Sequence, residues 1–420
     1  MTSVLDELQW RGLIHQSTDP DALRSELAKG PMTYYCGFDP TAPSLHMGNL
    51  VQILVLRRLQ LAGNRPLALV GGSTGLIGDP KESAERTLNS KETVQDWVER
   101  IRRQIEPFLD FDGQFAATMV NNLDWTGDLS ALDFLRDIGK HFRVNKMITK
   151  DAVATRLKSE EGISFTEFSY QILQGMDYLE LFKRYGCRLQ TGGSDQWGNL
   201  TAGTDLVRRV TGESVHLLAT PLVTKADGTK YGKTEGGTIW LDPELMSPYA
   251  FYQFWINAGD ADVINLLKIF SFLDREEITE LETETAEKPF ARAAQKRLAS
   301  EVTTLVHGKT ETEQAVAASQ ALFGRGALDE LAPTTLRAAL AEAGLVQVHD
   351  PELSVAALFK EAGLTGGLGE ARRAVAEGGA YINNERVVDA DAPVPTDRRL
   401  HGRWLVLRRG KKTIAGVEFI

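Results

Sequence analysis

The chain has 420 residues, 42% of them hydrophobic and 25% charged, with a net charge of −10. That length exceeds one ordinary domain and allows two or three with cores of their own. The acidic balance excludes a protein that coats nucleic acid indiscriminately, and no apolar run reaches the ~18–20 residues of a membrane-spanning helix. Two cysteines, Cys36 and Cys187, build no disulfide framework and lie too far apart for a structural zinc site, so no protein-held metal is expected. The first residues lack a basic head followed by an apolar stretch, so no secretory signal is expected, and a cytoplasmic location is the expectation.

In chain order, segment 33–38 reads as a strand and 48–62 as a helix. Segment 66–71 (PLALVG) is an unbroken apolar run, as in a strand buried on both faces. A charged helix at 91–108, a strand at 117–121, a helix at 165–185, a strand at 188–191 and a helix at 195–210 follow. Strands alternating with helices predict a parallel sheet with helices on both faces, binding its ligand at the carboxyl ends of the strands. From 247 to 306 the pattern is helical, and 324–350 is broken by Gly and Pro (GRGALDELAPTT), as at a domain boundary. A compact unit closes the chain, with a helix at 368–377 and strands at 380–383 and 404–408. From 366 to 420 there are ten Lys+Arg against seven Asp+Glu, a net of +3 that leaves −13 for the rest. A module facing RNA would therefore sit at the C-terminus.

Two segments suggest a phosphate-bearing ligand. Leu45-His46-Met47-Gly48-Asn49 follows a strand and opens a helix, where unpaired N–H groups favour phosphate and Gly48 lets a ligand approach the backbone. His46 and Asn49 could donate to it; taken alone, the pair reads first as helix caps. Farther on, Lys225-Ala226-Asp227-Gly228-Thr229-Lys230-Tyr231-Gly232-Lys233-Thr234 places three lysines in a turn-prone loop suited to closing over a polyphosphate. The helix at 165–185 carries Tyr170, Gln174 and Asp177 at i, i+4 and i+7, one polar stripe on an otherwise apolar helix. Buried, such a stripe must be hydrogen-bonded, by a structural partner or by a small polar ligand.

The His-x-Gly-Asn and Lys-x-x-Lys-Thr segments, in that order, resemble the two signatures of class I aminoacyl-tRNA synthetases, with Asn49 where His is common. Segments 35–41 (YCGFDPT), 75–80 (GLIGDP), 164–170 (SFTEFSY), 192–199 (GGSDQWGN) and 225–234 are similar to the bacterial tyrosyl-tRNA synthetase family. The resemblance spans essentially the whole chain. It implies an α/β, Rossmann-like parallel-sheet catalytic domain at 1–246, an α-helical domain at 247–325 bearing on the anticodon, a linker at 326–344 and a small α+β, αL-type RNA-binding domain at 345–420.

It also implies L-tyrosine, ATP with Mg2+ and tRNA(Tyr) as partners, and a homodimer. Thr41 and His46 would hold the terminal phosphate, with Lys230, Lys233, Thr234 and Arg86 stabilising the leaving pyrophosphate. Tyr35 and Asp177 would meet the phenolic hydroxyl, and Asp79, Tyr170 and Gln174 the α-ammonium, with Gln196 beside the carboxyl carbon. Cys36, Gly37, Gly48, Asn49, Gly193 and Asp195 would line the nucleoside, with Asp39 near the adenylate and Lys233 on the phosphates. Arg372, Arg373, Arg386, Arg408 and Lys411 are the candidate RNA contacts. A tryptophanyl relative, a tyrosine-activating paralogue of secondary metabolism and a scaffold that has lost catalysis remain the alternatives. Tyr35 with Asp177 and the C-terminal module speak against the first, and the full set of motif residues against the last.

Overall fold

The computed structural model describes residues 3–80, 88–160, 162–234, 237–350, 352–410 and 413–420, without the side chains of 151, 152, 233 and 234. The chain forms two compact units, one of residues 1–242 with 264–278, the other of 243–263 with 279–420.

The first unit is built on a six-stranded sheet in the order β1-β6-β5-β2-β3-β4. Its strands are β1 (Gln16–Ser17), β2 (Thr33–Phe38), β3 (Arg65–Val70), β4 (Thr118–Asn121), β5 (Leu189–Gly193) and β6 (His216–Thr220). β2 through β6 run parallel, and β1 is an antiparallel edge on β6. The parallel core has the doubly wound form expected from the alternation of strands and helices. From β2 the chain steps outward to β3 and β4, then returns to lay β5 on the opposite side. The strand order therefore reverses beside β2, and a crevice opens at the carboxyl ends of β2 and β5.

Four longer helices belong to this unit, α1 (Met47–Leu61), α2 (Lys91–Ile105), α3 (Phe165–Tyr185) and α4 (Trp197–Thr211), of which α1, α3 and α4 line the crevice. α1 is buried nearly all round, with Leu50, Ile53, Leu54, Val55 and Leu56 fully covered. α3 packs Ile172, Met176 and Leu179 into a core shared with Tyr35, Leu67 and Leu69.

Segment 264–278 lies beyond the boundary expected at 246, yet belongs to the first unit. Two buried arginines hold it there. Arg11 donates to the carbonyls of Lys268, Ser271 and Leu273, and Arg58 to those of Ile269 and Ser271. These are carbonyls of the last turn of the helix Asp260–Phe270 and of the residues just after it, which lack partners within the helix. A hairpin of β7 (Lys233–Thr234) and β8 (Gly237–Thr238) completes the unit's strands among the described residues.

In the second unit, α5 (Pro248–Ile256), α6 (Ala293–His307), α7 (Lys309–Ala321) and α8 (Pro333–Gly344) precede a five-stranded sheet in the order β11-β10-β12-β13-β9. Its strands are β9 (Leu345–Val348), β10 (Ala380–Ile382), β11 (Glu385–Arg386), β12 (Trp404–Arg409) and β13 (Thr413–Phe419), with α9 (Leu368–Ala376) packed on it. The linker expected at 326–344 instead carries α8. Its proline stands in the first turn, where a missing N–H costs nothing. α8 buries Leu336, Ala339 and Leu340, and Gly416 of β13 leaves Leu340 the room that a Cβ would take.

Candidate functional site

The crevice holds a cavity of about 450 Å³. At one end it is lined by Thr41, His46, Gly48, Asn49 and Lys230, at the other by Tyr35, Tyr170, Gln174 and Asp177. Cys36, Gly37, Asp39, Asp79, Gly193, Asp195 and Gln196 line it as well. Residues that lie far apart in sequence thus share one chamber.

At the first end, His46 is the N-cap of α1. Its Nδ1 accepts from the Gly48 backbone N–H at 3.0 Å, and Asn49 Oδ1 accepts from the His46 backbone N–H at 3.1 Å. The helix-cap and ligand-donor roles are therefore compatible. An Nδ1 that accepts leaves the proton on Nε2, and an Oδ1 that accepts leaves Nδ2 as donor. Burial lowers the His46 pKa, which favours the neutral ring. Gly48 is required here, because a Cβ would lie 2.9 Å from His46 Cε1. The lysine loop is pinned by a bridge of Thr224 to Lys230 and by the Tyr231 N–H donating to the Val223 carbonyl at 2.9 Å. Arg86 lies outside the described residues, as do the side chains of Lys233 and Thr234. Burial raises the Cys36 thiol to about 12, so it is no nucleophile at neutral pH.

At the second end, Asp177 is 2% exposed and burial raises its carboxyl to about 7. Its oxygens accept from Trp125 Nε1 at 2.9 Å and Asn122 Nδ2 at 3.0 Å. Tyr35 crosses Tyr178 edge-on at 5.2 Å between ring centres. The Tyr35 hydroxyl and Gln174 Oε1 are buried without a hydrogen-bond partner among the described residues. Such groups call for a polar ligand. Asp79 accepts from Gln196 Nε2 at 3.0 Å and Asn199 Nδ2 at 2.9 Å, which ties the start of α4 to the loop after β3. Asp39 accepts from Thr74 Oγ1 and from the Tyr170 hydroxyl, each at 2.6 Å.

Asn122, Trp125, Thr74 and Asn199 were not singled out from sequence. Position was the available signal: Asn122 directly follows β4, and Thr74 opens the short helix Thr74–Ile77 just after β3, at the strand ends where ligands gather.

On α9 of the C-terminal domain, Arg372 is bound to Asp391 at 2.7 Å. Arg408 lies 4.0 Å over the Tyr381 ring and donates to the Gly410 carbonyl. Arg373 and Arg386 are exposed, and Lys411 lies outside the described residues.

A family model for class I tRNA synthetases (W and Y) matches residues 27–324, and one for the SYY-like C-terminal domain of tyrosine–tRNA ligase matches residues 336–415. The tyrosine–tRNA ligase of Streptomyces avermitilis is 65% identical over 419 residues, covering 100% of this chain and 99% of the relative. A C-terminally truncated mitochondrial tyrosyl-tRNA synthetase of Aspergillus nidulans superposes with a TM-score of 0.70 at 30% identity, covering 77% of this chain and 95% of that one. Its Coccidioides posadasii counterpart gives 0.67 at 32%, covering 75% and 91%.

Proposed function

The chain belongs to the class I tRNA synthetases of the tryptophan and tyrosine type, and we infer that it is a tyrosine–tRNA ligase. It activates L-tyrosine with ATP and transfers the tyrosyl group to tRNA(Tyr). The observation that carries the choice of amino acid is that a buried Tyr35 hydroxyl, unpartnered among the described residues, and the buried Asp177 carboxylate line the same cavity.

The first step is an in-line displacement. A tyrosine carboxylate oxygen attacks the α-phosphorus of ATP, the bond to the bridging oxygen breaks, and pyrophosphate leaves. No side chain acts as nucleophile. The protein binds the developing charge more tightly than the ground state. Thr41 and the Nε2–H of His46 hold the terminal phosphate, while Lys230, Lys233, Thr234 and Arg86 meet the departing pyrophosphate. Asn49 Nδ2 donates to the ribose, and Cys36, Gly37, Gly48, Gly193 and Asp195 line the nucleoside. Asp79, Tyr170 and Gln174 hold the α-ammonium, Gln196 lies beside the carboxyl carbon, and Asp39 lies near the adenylate. Tyr35 and Asp177 receive the phenol. Phenylalanine leaves the buried Tyr35 hydroxyl without a partner and gives Asp177 no donor beyond Asn122 and Trp125, which penalises it; discrimination by this class of enzyme is a known case of that rule.

In the second step a terminal ribose hydroxyl of the tRNA attacks the tyrosyl carbonyl and AMP departs. Arg372, Arg373, Arg386, Arg408 and Lys411 are the proposed phosphate contacts in the C-terminal sheet domain, Arg373 and Arg386 being the more available of the described four. Among the described residues no cluster of His, Cys, Asp and Glu is set to hold a metal ion. Mg2+ would be carried by the phosphates of ATP, where its charge would offset that of the triphosphate.

The working form is a homodimer in the cytoplasm. Leu132 (78% exposed), Leu135, Val144 and Phe165 (71% exposed) leave apolar side chains exposed between positions 132 and 165 of the first unit, which supports that reading. No helix among the described residues is long and apolar enough to cross a membrane. Pyrophosphate exchange with tyrosine, followed by loss of charging alone when the C-terminal domain is removed, tests the division of labour. Equal loss of both activities contradicts it.

A further inference from the structure

Every hydrogen bond along a path between the two polar ends of the amino-acid pocket has a direction that chemistry fixes. The Ser73 backbone N–H can only donate, and it reaches Asn122 Oδ1 at 2.7 Å. That atom is therefore the carbonyl oxygen, and the nitrogen faces the other way. The two hydrogens of Asn122 Nδ2 go to Asp177 Oδ2 and Thr74 Oγ1, both at 3.0 Å. Thr74, accepting there, turns its single proton to Asp39 Oδ1 at 2.6 Å. Asp39 Oδ2 accepts the proton of the Tyr170 hydroxyl at 2.6 Å. With its proton committed, Tyr170 Oη faces the cavity as an acceptor, the polarity that an ammonium group needs.

We propose that Thr74 is a positioning residue that couples recognition of the tyrosine phenol at Asp177 to capture of the α-ammonium at Tyr170. This rests on the tyrosine reading of the cavity. Thr74 and Asn122 are 2% and 1% exposed, so the relay is shielded from water that would substitute for it. Gly71 keeps the path open, because a Cβ there would fall on both Asp39 Oδ1 and Thr74 Oγ1. Removing the Thr74 hydroxyl leaves Asn122 with an unused N–H and Asp39 with one donor fewer. The Asp39 oxygen that Thr74 held loses that donor, and the carboxylate's hold on the Tyr170 proton through its other oxygen loosens. The effect appears at the ammonium end, although Thr74 stands between the two ends.

The test is made on the full chain with Thr74→Val, which keeps the shape and removes the hydroxyl, and Thr74→Ser, which keeps the hydroxyl. Tyrosine-dependent pyrophosphate exchange gives KM for tyrosine and ATP. Inhibition constants are measured for 3-(4-hydroxyphenyl)propanoate, which has the phenol and lacks the ammonium. Thr74→Val is expected to raise the tyrosine KM about tenfold or more and leave the ATP KM within about twofold, because the buried bond it loses to a charged group, Asp39, serves the amino-acid pocket. The deaminated analogue should bind both proteins alike, so the advantage that the ammonium confers shrinks in the variant. Thr74→Ser should restore it. If Thr74→Val fails to fold, Thr74→Ala carries the same comparison. A tyrosine KM within about twofold of wild type overturns the proposal. So does an equal weakening of tyrosine and its deaminated analogue, which would mean that Thr74 only shapes the pocket. Wild-type protein that exchanges with another amino acid and not with tyrosine overturns the cavity's assignment itself.

Discussion

Lowering the pH from 8 to 6 should weaken tyrosine binding by itself, through Asp177. Burial raises this carboxyl to about 7, against the donors Asn122 and Trp125 that favour its charged form. The carboxylate fraction then falls from about nine-tenths at pH 8 to about one-tenth at pH 6, and the tyrosine association constant falls roughly tenfold with it. The sign follows from linkage. A phenol that donates to the carboxylate binds the deprotonated form, so affinity rises with pH through about 7. Phenylalanine has no such donor, and its weak binding should change little, so discrimination narrows as the solution is acidified. The free protein moves the other way. Its raised carboxyl holds a proton that the unfolded chain has released, so this group's contribution to stability declines as pH rises from 3.8 to about 7. Equilibrium dialysis with tyrosine in the absence of ATP isolates the effect from His46 and the lysine loop. Trp125→Phe, which removes one donor to the carboxylate, should shift the midpoint to higher pH. Tyrosine affinity that stays flat between pH 6 and 8, or falls in parallel for phenylalanine, refutes the assignment of Asp177 to the phenol.

Gly48→Ala should slow adenylate formation about tenfold or more while tyrosine binding is unchanged, since the new Cβ, 2.9 Å from His46 Cε1, displaces the ring from its donor position. An unaltered single-turnover rate would contradict that role. Asn122→Ala leaves one oxygen of Asp177 without its donor and should cost about 1–3 kcal/mol of tyrosine binding by titration. Wild-type affinity would remove Asn122 from the site. A chain ending at Gly344 strips the sheet from Leu336, Ala339 and Leu340, so it should be less soluble yet still make tyrosyl-adenylate, with charging lost. Parallel loss of both activities in a folded truncate argues against separate catalytic and RNA-facing parts.

What could be read from the sequence was what local pattern carries. The run Pro66–Val70 gave a central strand because a parallel strand buried on both faces needs no alternation. Tyr170, Gln174 and Asp177 fell on one face because helical spacing is geometric, and all three line the cavity. The contacts made by Asn122 and Trp125 were out of reach, since each spans more than fifty residues to Asp177 and depends on where β4 ends. Segment 326–344 misled because Gly and Pro punctuation resembles a linker, although Pro333 begins α8. The return of 264–278 to the first unit turned on Arg11 and Arg58, whose carbonyl partners no pattern announces. Charge counting likewise marked Arg372 as an RNA contact without revealing Asp391, nineteen residues away, which pairs with it.

The most direct measurement is pyrophosphate exchange into ATP with each of the twenty amino acids in turn, followed by charging of total tRNA. Exchange with tyrosine far above all others, and tyrosine delivered to tRNA(Tyr), is the expected result. Exchange that prefers tryptophan would contradict the Tyr35–Asp177 selection, and tyrosine exchange without any charging would mean an activating enzyme that serves another acceptor.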